Sequence, residues 1–346
     1  MKMKITIAVL LCLAILVGLF LFVHAGQDDL RVFNWGEYID ESILKQFTEE
    51  TGIKINYKKY ASNEEMYAKL KRGGSRYDII VPTDYMIERM IAEDMLEKLD
   101  FGNIPNFGNI DSRFTHRVYD PGSEYSVPYM WGTNGLIYNT EMVHGEIDSW
   151  DVLWDETYKG QILMYDSMRD SFIPALIKLG YSINTRSPRE LEEARDLLIA
   201  QKPLVHAYMG DIMRDSMISG EAAIGLMFSG DAVYCIDENP ALAYVIPKEG
   251  SNVWFDAVAI PKGARNKEAA ELFINFLCRP DIALKNTEYI GFSTVNAEAF
   301  KMLPPELLEN PAYWPPDEAI DRCELLMDLG DFAGEFDRAW TMVLAK

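Results

Sequence analysis

The chain has 346 residues, 49% of them hydrophobic and 25% charged, which fits a folded globular protein with room for two domains and excludes a disordered chain. A formal net charge of −21 repels nucleic acid and anionic membrane surfaces, so no nucleic acid is expected as a partner, whereas small cations are attracted. Beyond residue 25 only Cys235, Cys278 and Cys323 remain, widely spaced and without a C-x-x-C, so no disulfide framework is expected, although one bridge stays open.

The N-terminus opens MKMK, and residues 5–23 then run without a charge. A positive start, an apolar stretch and the small-residue pattern Val23-His24-Ala25 read as a signal peptide over residues 1–25. The apolar stretch of 19 residues is also just long enough to span a bilayer, so an uncleaved anchor that tethers the protein through residues 5–23 is the second reading. Both readings export the body of the chain to the periplasm or the cell surface. Cleavage would remove Lys2 and Lys4 and no acid, moving the net charge to about −23.

Residues 30–35, LRVFNW, read as a strand. Residues 40–52 read as a helix with Ile43, Leu44 and Phe47 on one face and Gly52 as its stop. KINYKKY (54–60) alternates like a strand, and residues 62–74 open with the capping box Ser62 and Glu65. YDIIVP (77–82) is a continuous apolar strand, followed by a helix from about residue 84 to 98. This alternation of strand and helix predicts a mainly parallel sheet flanked by helices. The pattern recurs with strands at 135–139, 161–165, 221–228, 242–247 and 254–261, and with helices at 187–201 and 266–278. Two α/β lobes are therefore expected, with crossings near residues 131–134 and 254–256; Trp131 is taken as structural.

Ligands of parallel sheets bind beyond the carboxyl ends of the strands. The residues found there are Trp35-Gly36-Glu37-Tyr38, Thr83-Asp84-Tyr85, Asp166 to Asp170, Phe228 to Asp231, and Trp254-Phe255-Asp256. Every set holds an acid, and most hold an aromatic ring. Rings attract ammonium groups through their quadrupole, by about 0.5–2 kcal/mol each, and carboxylates bind the same groups by charge-assisted hydrogen bonds. A cleft with such walls suits an elongated organic polycation. Asp84 is set aside as a helix N-cap.

Signatures of catalysis are absent from the sequence: no H-E-x-x-H, G-x-S-x-G, G-x-x-x-x-G-K or G-x-G-x-x-G occurs. His116, His144 and His206 show no zinc-ligand spacing. Asp166 and Asp170 have the residue types of a glycosidase pair, but acids at a helix start are ordinary. No enzyme, cofactor or metal is expected.

FNWGEYI (33–39), YDIIVPTDYMI (77–87), VPYMWGTNGLIYN (127–139), SWDVLWDETYKGQILMYDSMRD (149–170), the run WFDAVAIPKGARNKEAAELFINFLCRPDIA (254–283) and IGFSTVN (290–296) carry a resemblance across nearly the whole exported chain. It resembles the bacterial spermidine/putrescine-binding proteins, the extracytoplasmic receptors of polyamine ABC importers. The resemblance implies a two-lobed, hinged periplasmic-binding-protein fold of type II with a central cleft. On it, lobe 1 would take residues 29–131 plus 255–300 and lobe 2 residues 132–254 plus 301–346. It implies a monomer that captures putrescine or spermidine and delivers it to a membrane permease driven by an ATPase.

Carried over residue by residue, Trp35, Tyr38, Tyr85, Phe228 and Trp254 would form the aromatic walls. Thr83 would add a hydroxyl, and Glu37, Asp170, Asp231 and Asp256 would bind amines. Ser167 and Phe292 would line the cleft. Gly36 lacks a hydroxyl that relatives often carry, Ser167 stands where spermidine-preferring members have a carboxylate, and Asp231 has the spacing of putrescine-preferring ones. Phe228 replaces a Trp, Phe292 a Tyr, and Leu326 stands near a polar Gln of spermidine binders. These departures tilt the expectation toward putrescine or dual specificity. The alternatives are a receptor of the same fold for thiamine, an amino acid or iron, and a ligand sensor without transport.

Overall fold

A computed structural model describes residues 29–73, 76–210 and 212–346. The proposed leader or anchor at residues 1–25 lies outside the described residues. Among those described, no helix is long and apolar enough to cross a membrane.

The first strands, β1 (Leu30–Trp35), β2 (Ile55–Tyr60) and β3 (Ile79–Ile80), run parallel, with β1 in the middle. The helices that follow β1 and β2 both carry side-chain N-caps. Asp40 accepts from the Ser42 amide to open helix Glu41–Thr51, and Gly52, at φ 77°, closes it. Ser62 accepts from the Glu65 amide to open helix Asn63–Lys71. Ile43 and Phe47 face inward, and Phe47 meets Phe273 edge-on at 5.0 Å. Burying each such side chain contributes about 1.5–3 kcal/mol.

Two elements differ from the sequence reading. The helix after β3 ends at Ala92 instead of residue 98. Asp94 takes a left-handed φ of 54°, and the Met95 amide turns back to the Met90 carbonyl, a bond that terminates a helix. Leu96 then bridges to Pro261. The second difference is β4 (Ser126–Asn139), a single strand of 14 residues that contains the expected crossing at residues 131–134.

Beyond β4 the strands β5 (Ile162–Tyr165), β6 (Val205–Met209) and β7 (Ile224–Phe228) are again parallel, centred on β5. β8 (Leu242–Val245) and β9 (Asn252–Ala259) follow; β9 spans residues 254–256, where the other crossing was expected, yet its apolar side chains all belong to a single core. β4 pairs antiparallel with β7, β8 and β9, so the parallel ladders are joined through a pair of antiparallel strands. Short β10 (Ser293–Thr294) and β11 (Glu324–Leu325) edge β4 and β9.

The apolar side chains separate accordingly. One core gathers residues such as Phe33, Phe47, Ile80, Met130 and Phe273, and another gathers Leu136, Trp150, Leu163, Ile224 and Leu326. Tyr85 and Phe228 pack against both. Trp131 lies in the first core among Phe114, Phe255 and Trp314, as a structural residue.

Candidate functional site

The ends of β1, β3, β5, β7 and the middle of β9 converge where the two cores meet. At the centre is Asp256, 6% exposed, on β9. Its Oδ2 accepts from the Tyr38 hydroxyl at 2.6 Å. Its Oδ1 is buried and has no hydrogen-bond partner. Thr83 bridges to the same residue by backbone pairing. Burial pushes the Asp256 carboxyl up to about 6, offset in part by the hydroxyls of Tyr38 and Thr83, while the charge of Asp170 adds to the rise.

The Tyr38 ring is anchored from behind. Its carbonyl accepts from the Tyr129 hydroxyl at 2.8 Å, and Asn286 donates to that hydroxyl at 2.7 Å. The Asp40 amide in turn donates to Asn286, so the loop after β1 is tied to helix Pro280–Ile290. Tyr38 meets Phe292 edge-on at 5.4 Å, Phe292 meets Trp254 at 5.2 Å, and Trp254 meets Phe228 at 5.9 Å. Phe228 stacks on Tyr165 at 4.4 Å. These rings form one continuous wall that passes from the first core to the second. The indole Nε1 of Trp254 is buried without a hydrogen-bond partner.

Phe292 leaves no room for a larger neighbour. A Cβ at Gly230, the residue opposite, would lie 2.2 Å from its ring. Gly230→Ala is therefore expected to cost about 1–3 kcal/mol of stability by overpacking, measured by urea denaturation. A change below about 0.5 kcal/mol would mean that the ring moves aside freely.

The remaining candidates occupy the flanks. Asp170 is half-buried in the first turn of helix Met168–Lys178. Asn134 donates to its Oδ1 at 2.8 Å, and the Ser167 hydroxyl donates to its Oδ2. Burial raises its carboxyl above the ordinary range despite those donors. Ser167 thus caps the helix and holds the acid. Tyr85 donates to Glu64 at 3.0 Å, and Asn63 donates both to Tyr85 and to Thr83. Trp35 donates to the Val81 carbonyl at 2.8 Å and tilts against Tyr60.

Two acids stand apart from this arrangement. Glu37 is exposed and pairs with Lys59 at 2.8 Å, which holds its carboxyl below the usual range. Asp231 accepts from Tyr165 at 3.2 Å and lies 3.5 Å from the Arg214 guanidinium. Asp166 is exposed and Leu326 is buried in the second core, so neither faces the wall.

Three participants carried no sequence signal. Arg169 is buried with its guanidinium 5.3 Å from the Tyr85 ring, donating to the Met327 carbonyl and to Asn184. Arg214 faces Asp231, and Asn134 holds Asp170. Only an adjacent arginine at 169 could have drawn notice. Asp84 also differs from its expected role. Thr83 is the N-cap, whereas the fully buried Asp84 accepts from the Tyr85 and Phe255 amides, fastening β9 to helix Asp84–Ala92. No cluster of metal-ligating side chains occurs among the described residues.

Comparison with known proteins fits this geometry. Residues 42–314 match the family described as bacterial extracellular solute-binding protein. The spermidine/putrescine-binding periplasmic protein of Salmonella typhimurium is 39% identical over 326 residues, 93% of each chain. Its counterpart in Escherichia coli is 40% identical over 311 residues, 89% of each chain. A solved structure of a spermidine/putrescine ABC transporter substrate-binding protein from Streptococcus pneumoniae is 41% identical, with a TM-score of 0.79, over 92% of this chain and 99% of that one.

Proposed function

This chain belongs to the bacterial extracellular solute-binding proteins, in the group that includes the spermidine/putrescine-binding receptors, and we propose that it captures a polyamine for a membrane importer. The observation that carries this reading is the buried Oδ1 of Asp256, without a partner, beside the aromatic wall. A buried carboxylate oxygen of this kind is costly unless a cation or donor meets it. An ammonium group supplies both.

In this reading Asp256 and Asp170 hold ammonium groups, with Ser167 supporting Asp170. Trp254, Phe228, Phe292 and Tyr38 cover the methylenes, and Trp35, Thr83 and Tyr85 complete the near side. Glu37 lies at the rim and Asp231 is buried at the end of the ring wall, each with a basic neighbour. The lobes are residues 29–131 plus 255–300 and residues 132–254 plus 301–346, a division supported at its first boundary by Trp131 and Leu136, which lie in separate cores. Ligand joins the lobes by filling the cleft between them. The loaded monomer then meets a permease and ATPase of the ABC type. Its role is capture, not catalysis. Residues 1–25 direct export, and residues 5–23 either leave with the signal or tether the receptor.

Thermal unfolding with and without putrescine, cadaverine, spermidine and spermine tests the reading. A ligand at 100 times its Kd is expected to stabilise the protein by about 2.7 kcal/mol. No shift with any of the four would refute it.

A further inference from the structure

The four acids proposed for amine binding fall into two pairs. Glu37 and Asp231 each have a basic side chain at ion-pair distance, Lys59 at 2.8 Å and Arg214 at 3.5 Å. Among the described residues, Asp256 and Asp170 have no such partner. Their neighbours are neutral donors: the hydroxyls of Tyr38 and Thr83 at Asp256, and the Ser167 hydroxyl and Asn134 amide at Asp170. Arg169, next to Asp170, directs its terminal nitrogens to Met327 and Asn184. The cleft therefore holds two carboxylates without a resident cation, the number a diamine can match.

Arg214 extends from helix Met213–Ile218 and is largely covered, its side chain 17% exposed. The guanidinium lies 5.4 Å from the Tyr234 ring and beside Asp231, which takes the Tyr165 hydroxyl on its other oxygen. Tyr165 is the last ring of the wall that begins at Tyr38. The charge of Arg214 also reaches Glu37, on the loop of the opposite core. Arg214 thus stands at one end of the ring wall, paired with Asp231.

We propose that Arg214 is a specificity-determining residue: a tethered cation on Asp231 that takes the position a third ammonium would need, so the cleft prefers diamines to longer polyamines. This rests on the polyamine reading given above. Three physical reasons support it. A guanidinium stays charged at any working pH, so the position is never vacated by deprotonation. It is held by the chain, whereas a ligand group must give up freedom to compete with it. A third ammonium brought to this end would face a like charge in a partly desolvated site. Trp254, Asp256 and Asp170 are untouched by this block, so a short ligand retains its contacts.

Titration calorimetry of the full chain with putrescine, spermidine and spermine at pH 7.5 tests the proposal. The unaltered protein is expected to bind putrescine more tightly than spermidine. Arg214→Gln is expected to move the spermidine-to-putrescine affinity ratio at least fivefold toward spermidine, and Arg214→Lys to move it less than twofold. A native preference for spermidine, or a ratio within twofold of native in a folded Arg214→Gln protein, overturns the proposal. Should that variant fail to fold, Asp231→Asn leaves the cation without its acid and is expected to weaken spermidine more than putrescine; the reverse order overturns it. Binding with an unaltered ratio removes only the role of Arg214, whereas no polyamine binding by the native protein removes the functional reading and this proposal with it.

Discussion

Asp256→Asn is expected to weaken polyamine binding by two to three orders of magnitude and, at neutral pH, to stabilise the ligand-free protein. Both effects have one source. In the loaded receptor the carboxylate and an ammonium would be desolvated together, and removing one charge leaves the other unmatched, at a cost of about 3–4 kcal/mol. In the ligand-free protein the same carboxylate has a buried oxygen without a hydrogen-bond partner. An amide of nearly equal shape can still accept from Tyr38 and carries no charge to desolvate, a gain of about 1–2 kcal/mol above pH 6. Calorimetric titration measures the first effect and urea denaturation the second. Affinity unchanged within twofold, or a ligand-free protein less stable than native at pH 7.5, would count against Asp256 as the central amine site.

Acidification is expected to unload the receptor. The Asp256 carboxyl is raised to about 6 by burial, so below that pH an incoming ammonium must displace a proton. Affinity should fall about tenfold for each pH unit below 6, and binding near pH 6 should release a proton to the buffer. Asp170, also raised by burial and close enough to act on Asp256, steepens the fall. For the ligand-free protein the sign is opposite. A raised acid lets the native state keep a proton that the unfolded chain has lost, so stability falls as the pH rises from about 4 to about 6 and then levels. The loss from Asp256 alone is about 3 kcal/mol. Calorimetry in buffers of different ionisation enthalpy, together with melts from pH 4 to 8, measures both trends. Affinity constant between pH 5 and 7 would contradict the assignment.

Local chemistry was readable where local physics decides. Ser62 caps the helix its sequence announces, and Gly52 ends the one before it. The convergence of distant strand ends followed from the rule for parallel ladders. β4 was harder, because Gly132, Gly135 and Pro128 interrupt its apolar run and suggest a break. The glycine at 132 has a tertiary cause: a Cβ there would lie 2.6 Å from the Trp254 ring. The pairing of Glu37 and Asp231 with bases was out of reach for the same reason. Lys59 meets Glu37 only once β2 is laid against β1, and Arg214 meets Asp231 only through the packing of two helices. Charge composition registers such residues as solvated surface, and only the fold reveals whose charge each one cancels.

β4 runs from one core into the other, with Met130 and Trp131 in the first and Leu136 and Ile137 in the second. β9 lies along it and carries Trp254 and Asp256 near its middle, in register with Gly132 and Met130. The groups proposed to feel the cargo are therefore laddered directly onto the strap that joins the halves. Tension on those two side chains is passed to the backbone that must flex for the halves to separate. Loading and bending then share one mechanical coordinate, and the dwell time of a cargo is expected to follow the stiffness of that strap and its ladder with β9.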